Sequence, residues 1–123
     1  MTKAATGRVL FLVNPEAGGG RTEARLRRLL SQAPALAGRS NTACVRSTAE
    51  ACAALRGLEP GDIPVATGGD GTVTLVATAL REAGRQDTPL ALLPLGTGNL
   101  VARELGLDDP RLALRALERG TVR

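Results

Sequence analysis

Between Val65 and Leu80 the chain reads VATGGDGTVTLVATAL, and in it one carboxylate, Asp70, stands among Gly68, Gly69 and Gly71. Glycine lets the backbone reach positive φ and lets a ligand approach without meeting a Cβ, at a cost in conformational entropy on folding. Three glycines around one carboxylate exceed what a turn needs. As a structural residue Asp70 would be a turn or cap carboxylate. As a functional residue it would hold Mg2+, or accept the proton of a hydroxyl, beside a nucleotide phosphate, because hard oxygen ligands suit a cation that bridges phosphates.

Two more glycine loops flank this turn in sequence: NPEAGGG, Asn14 to Gly20, and LGTGN, Leu95 to Asn99. Neither matches the Gly-x-Gly-x-x-Gly dinucleotide fingerprint, nor a Walker loop with its Gly-Lys-Ser/Thr, and the one lysine is Lys3. Other chemistries are excluded by composition. With no histidine the chain cannot build a His-based triad or the usual catalytic zinc sets. One Phe and no Trp or Tyr leave nothing on which bases could stack, so no nucleic-acid partner is expected. The net charge of +4 comes almost entirely from arginine, which fits either a biased base composition or a preference for phosphate and anionic surfaces. Cys44 and Cys52 lack metal-site spacing and are expected to be buried free thiols in a reducing compartment. The apolar run near the N-terminus is too short for a signal peptide or a membrane span, so the expected location is cytoplasmic.

The elements that must position these loops alternate along the chain. RVLFLV, 8–13, is a short apolar run ended by Asn14 and Pro15, as in a buried parallel strand. Thr22 is the expected N-cap of a helix that turns Leu26, Leu29, Leu30 and Ala33 inward and stops before Pro34. TACVRS, 42–47, is a second strand. Ser47 and Glu50 stand in the capping-box relation, and the helix they start carries Ala51, Cys52 and Leu55 inward. DIPVA, 62–66, is the third strand, and the segment after the glycine turn reads as a helix buried on nearly every side. LALLP, 90–94, is the fourth strand, LVAREL the next short helix, and Asp109 with Pro110 opens a last helix with Ala113, Leu114 and Leu117 inside.

This pattern predicts one domain, 1–123, of the α/β class: an open, mainly parallel sheet with helices on both faces, in three layers. The carboxyl ends of parallel strands share one edge, so the three glycine loops should meet in one crevice, each presenting backbone N–H groups at the start of a helix.

NPEAGGG, GGDGT and PLGTGN, in this order and at these intervals, resemble the catalytic domain of diacylglycerol kinases and their sphingosine and bacterial lipid kinase relatives, more distantly NAD kinases and phosphofructokinases. The resemblance runs from Val9 to about Val122. It implies the nucleotide-binding half of a kinase that uses ATP with Mg2+ to phosphorylate a lipid hydroxyl of the diacylglycerol type, in phospholipid biosynthesis. By that resemblance Asn14, Pro15, Glu16, Ala17 and Gly18 form the first phosphate loop and Thr48 contacts the nucleotide. Gly68, Gly69, Asp70, Gly71 and Thr72 form the signature turn, and Gly96, Thr97 and Asn99 the third loop. Asp70 is the implied catalytic and metal-binding residue.

The chain departs from the family pattern where Thr74 and Leu75 replace Asn and Glu, and where Leu100 replaces an Asp. Family enzymes continue into a β-rich domain that receives the lipid at a membrane surface. The 123-residue chain is therefore expected to be an incomplete catalytic unit that binds nucleotide with little transfer, prone to self-association, with any membrane contact peripheral and made through a missing or separate domain. The competing readings are an NAD kinase-like enzyme and a non-catalytic nucleotide- or phosphate-binding module.

Overall fold

A computed structural model describes residues 7–96, 99–106 and 108–119. Its centre is strand β1, Val9–Val13, in which successive side chains alternate between the two faces of the sheet. Parallel partners flank it: β2, Ser40–Cys44, on one side and β3, Ile63–Gly68, on the other, with β4, Ala91–Pro94, beyond β3. The strand order is β2-β1-β3-β4. The chain thus runs outward from β1 to β2 and then crosses back to β3, so the order reverses between β1 and β3.

The alternation sorts the core into two halves. Val9, Phe11, Val13, Ile63, Val65, Leu93 and Leu95 pack against α1, Thr22–Leu30, α2, Pro34–Ala37, and α6, Pro110–Arg119. Leu12 and Ala66 pack against α3, Thr48–Leu55, and α4, Asp70–Glu82. A short helix α5, Leu100–Glu104, lies beside α4. The result is the expected three-layer α/β arrangement with an all-parallel open sheet.

Local differences from the sequence reading have physical causes. Arg21, not Thr22, occupies the N-cap of α1, with backbone angles of −104° and −5°. The short 3-10 turn Ala17–Gly20 runs straight into the helix, so the chain never adopts the extended conformation that a Thr cap needs. Thr22 is buried instead. Strand β2 begins earlier than expected because pairing to β1 sets its ends, Ser40 opposite Val9 and Cys44 opposite Val13. That leaves Ser47 free to cap α3, where its Oγ accepts the Glu50 N–H at 3.2 Å and the Glu50 carboxylate accepts the Arg46 N–H at 2.7 Å. Helix α4 is not buried all round: Gly71, Thr74 and Ala77 form an exposed stripe, while Val76, Ala79 and Leu80 face the core. Of the two thiols only Cys52 is buried; Cys44 is exposed at the end of an edge strand. Leu100, Leu105 and Leu112 are exposed on or near α5 and α6. Among the described residues no helix is long and apolar enough to cross a membrane.

Candidate functional site

All three glycine loops leave the carboxyl edge of the sheet, and the loops after β1 and β3 flank the point where strand order reverses. In open parallel sheets ligands bind in the crevice outside such a point. After β1, the Asn14 side-chain oxygen accepts the Glu16 N–H at 3.0 Å and fixes the turn through Pro15. Ala17 and Gly18 then enter the 3-10 turn that feeds α1. Glu16 reaches Arg46 at 3.8 Å across to the loop after β2. Both side chains are solvent-exposed, so this pair adds little stability. Thr48, half-buried, is the first residue of α3 on the same rim.

At the end of β3 the backbone of Gly68 has φ of +146°, a region L side chains avoid, and a Cβ there would stand 2.9 Å from the Thr72 Oγ1. Thr72 is 2% exposed and its hydroxyl has no partner. Gly69 is the N-cap of α4 and Arg21 that of α1, and neither makes a side-chain cap bond of its own. A helix start without a side-chain cap presents N–H donors and the positive end of the helix dipole.

The third loop is built onto the second. The Leu95 N–H donates to the Gly68 carbonyl at 3.1 Å. A Cβ on Gly96 would lie 2.4 Å from the Gly69 nitrogen, so only glycine permits the two backbones to touch. The Asn99 amide turns back to donate to the Gly96 carbonyl at 2.9 Å, leaving its own side-chain oxygen buried without a partner. From α1, the Arg25 guanidinium donates to the Leu95 carbonyl and ties the first helix to this loop. Thr97 lies outside the described residues.

Asp70, the first residue of α4, is half-buried and caps a different helix from its own. Its two carboxylate oxygens accept the Leu100 N–H at 2.9 Å and the Val101 N–H at 2.8 Å, the first amides of α5. These two bonds hold the carboxyl below its ordinary value; desolvation opposes them, and the Arg103 guanidinium adds a lesser contribution. The N-cap residues of α1 and α4 serve no amide with their side chains, and the first two amides of α5 are already bonded to Asp70. Sequence reasoning placed a helix-start donor set at each of the three loops; at the third, Asp70 occupies the first two amides. Among the described residues no group of three or more acidic, cysteine or histidine side chains converges to hold a metal.

Hollows of about 760 and 400 Å³ lie at the opposite edge around Leu58, Glu59 and Asp62. Two of the charged groups lining them are engaged by the chain itself: Asp62 accepts the Arg8 and Glu59 N–H groups, and Arg85 donates to the Leu58 and Arg56 carbonyls. Size alone therefore does not mark the site.

Sequence reasoning missed Arg25, Arg46 and the backbone contact of Gly96 with Gly69. Arg25 was legible in principle, since it stands three residues from Thr22 and four from Leu29 and so shares the inner flank of α1. The other two depend on spatial proximity alone.

This arrangement is a doubly covered, open parallel α/β domain with glycine loops gathered at the carboxyl edge of its sheet. Comparison with known proteins makes the class specific. Residues 8–123 match the family described as "Diacylglycerol kinase catalytic domain". Over 55 residues, 44% of this chain and 18% of the relative, the sequence is 51% identical to proteins described as "Probable lipid kinase YegS-like" from two strains of Pseudomonas aeruginosa. A solved structure described as "A putative diacylglycerol kinase from Bacillus anthracis str. Sterne" superposes with a TM-score of 0.63 at 25% identity, covering 88% of this chain and 40% of that one. The chain thus spans less than half of the solved relative, and its match covers under a fifth of the curated ones. It belongs to the diacylglycerol kinase catalytic domain family.

Proposed function

We propose that this domain is the ATP-binding half of a lipid kinase, with the phosphates of ATP seated on the open starts of α1 and α4. The observation that carries the reading is the joining of two glycine loops by backbone contact at Gly69 and Gly96, beside the strand-order reversal, in a chain of this family. Asn14 to Gly18 would close one side of the phosphates, Gly68 to Thr72 the other, and Gly96 and Asn99 the floor. Thr48 stands at the rim on the side of β2. When bound with the nucleotide, Mg2+ supplies charge neutralisation on the phosphate oxygens.

The reaction is transfer of the γ-phosphoryl group to a lipid hydroxyl of the diacylglycerol type: the bond from phosphorus to the lipid oxygen forms, the bond to ADP breaks, and the hydroxyl proton leaves. What this segment contributes is binding and orientation, the larger part of phosphoryl-transfer catalysis. The acceptor would be received by chain outside the matched segment, so the 123 residues alone should bind ATP and transfer little. Self-association belongs to the same reading and is supported by exposed Leu100, Leu105 and Leu112. A single sedimentation boundary unchanged over a wide concentration range would remove that part.

The test is calorimetric titration with ATP, with and without Mg2+, followed by radiolabel transfer to diacylglycerol in mixed micelles by the chain alone and by the chain joined to the remainder of a related lipid kinase. Binding by the chain with transfer only by the joined protein is the expected result. Absence of ATP binding at millimolar nucleotide would sink the proposal, and robust turnover by the chain alone would show that the segment is more than half of an enzyme.

A further inference from the structure

We infer that Asp70 is a positioning residue: its carboxylate fastens the third glycine loop onto the second by capping α5. The functional consequence rests on the nucleotide reading above; the fastening itself does not. Helix α5 has five residues, and its own N-cap, Asn99, leaves its first amides unserved because the Asn99 side chain is turned back to the Gly96 carbonyl. Asp70, thirty residues earlier in the chain, serves both Leu100 and Val101. The loop between is therefore gripped at two points, at Gly96 by backbone contact with Gly69 and at Leu100 by the carboxylate.

A carboxylate engaged through both oxygens by a helix start is a poor proton acceptor, and those two bonds fix its orientation. No set of three or more metal-ligating side chains surrounds it among the described residues. It also neutralises the start of α5, so the phosphates are directed to α1 and α4. Asp70 thus acts on a bound nucleotide by placing the start of α5 and not by direct ligation.

Two measurements on the 123-residue chain test this. In Asp70→Ala, amide exchange followed by NMR should quicken about tenfold or more at Leu100 and Val101, the scale of losing a charge-assisted bond, while the β1 amides of Phe11 and Leu12 stay protected. ATP affinity should fall by the same factor with Mg2+ present and with the metal chelated. A loss confined to the Mg2+ condition would make Asp70 a metal ligand and overturn the inference, as would unchanged exchange at Leu100 and Val101. If Asp70→Ala fails to fold, Asp70→Asn, which keeps one acceptor oxygen, answers the same question. If the parent chain binds no ATP, the nucleotide reading fails and the exchange data alone decide the fastening.

Discussion

Both edges of this sheet hold their loops with a carboxylate and an arginine, Asp62 and Arg85 at the amino edge and Asp70 and Arg25 at the carboxyl edge, and they differ in the polar atoms left over. At the amino edge Asp62 accepts two backbone N–H groups, Arg85 donates to two carbonyls and Arg39 donates to the carbonyls of Gly7, Leu117 and Glu118. At the carboxyl edge the N-cap residues of α1 and α4 make no side-chain cap bond of their own, and Thr72 and Asn99 each bury an oxygen with no partner. Such a buried group costs on the order of 1–3 kcal/mol. The difference teaches where the fold has used its polar groups for its own stability and where it has left them open, and the open edge is the one that carries the glycine loops.

The most severe way to break this contrast is to separate the loops at the carboxyl edge. Gly96→Val would drive a branched side chain into the Gly69 backbone, for which no side-chain movement can compensate. We expect a loss of about 3 kcal/mol or more in chemical denaturation together with abolished ATP binding. Gly61, at the amino edge, has φ of +91° with nothing near its Cβ position, so Gly61→Ala should cost about 1 kcal/mol of backbone strain and leave ATP binding unchanged.

A sharper cut separates ligand space from fold. A Cβ on Gly71 meets nothing within 4 Å, and its φ needs no glycine. Gly71→Ala should therefore hold or raise stability, by up to about 1 kcal/mol of helix propensity, while ATP affinity falls about tenfold because the methyl stands at the open start of α4. Retained affinity measured by calorimetry would move the phosphates away from this turn. At the amino edge, Asp62→Ala removes an acceptor from two backbone amides and should cost about 1–2 kcal/mol, with ATP affinity unaffected. If Asp62→Ala weakened ATP binding as much as it weakened the fold, the division of labour between the edges would be wrong.

How much of this was legible in the sequence depends on the range of the interaction. The α/β alternation, the Ser47 cap and the Asp109 cap, whose carboxylate accepts the Arg111 N–H at 2.9 Å, are local events and read directly. The gathering of three loops followed from strand direction. Asp70 showed its double nature only in part: a cap carboxylate was foreseeable, but its helix begins at Leu100, and no local pattern links positions thirty apart. Gly96 looked like one more loop glycine because the atom it must avoid belongs to Gly69. The Thr22 cap failed for a related reason, since the preceding 3-10 turn decides how the chain enters α1.

The mildest test of the contrast uses acid. The Asp70 carboxyl lies below its ordinary value of 3.8, first because of the Val101 and Leu100 amide bonds, with Arg103 assisting and desolvation opposing. A carboxyl lowered by folding contributes stability that is fully present above its unfolded value and is lost as pH falls through its folded value. From neutral pH down to about pH 4 the fastening of α5 should therefore not change, and it should loosen only below that range. Following the Leu100 and Val101 amide shifts by NMR from about pH 6 to about pH 2 should give one shared midpoint below 3.8 that vanishes in Asp70→Asn. The effect on overall stability is small because the group is half exposed and water solvates either form. A midpoint at or above 3.8 would mean that the two amide bonds do not persist in solution. The start of α5 would then be as open to an anion as the starts of α1 and α4, and all three loops would offer helix-start donors to the phosphates.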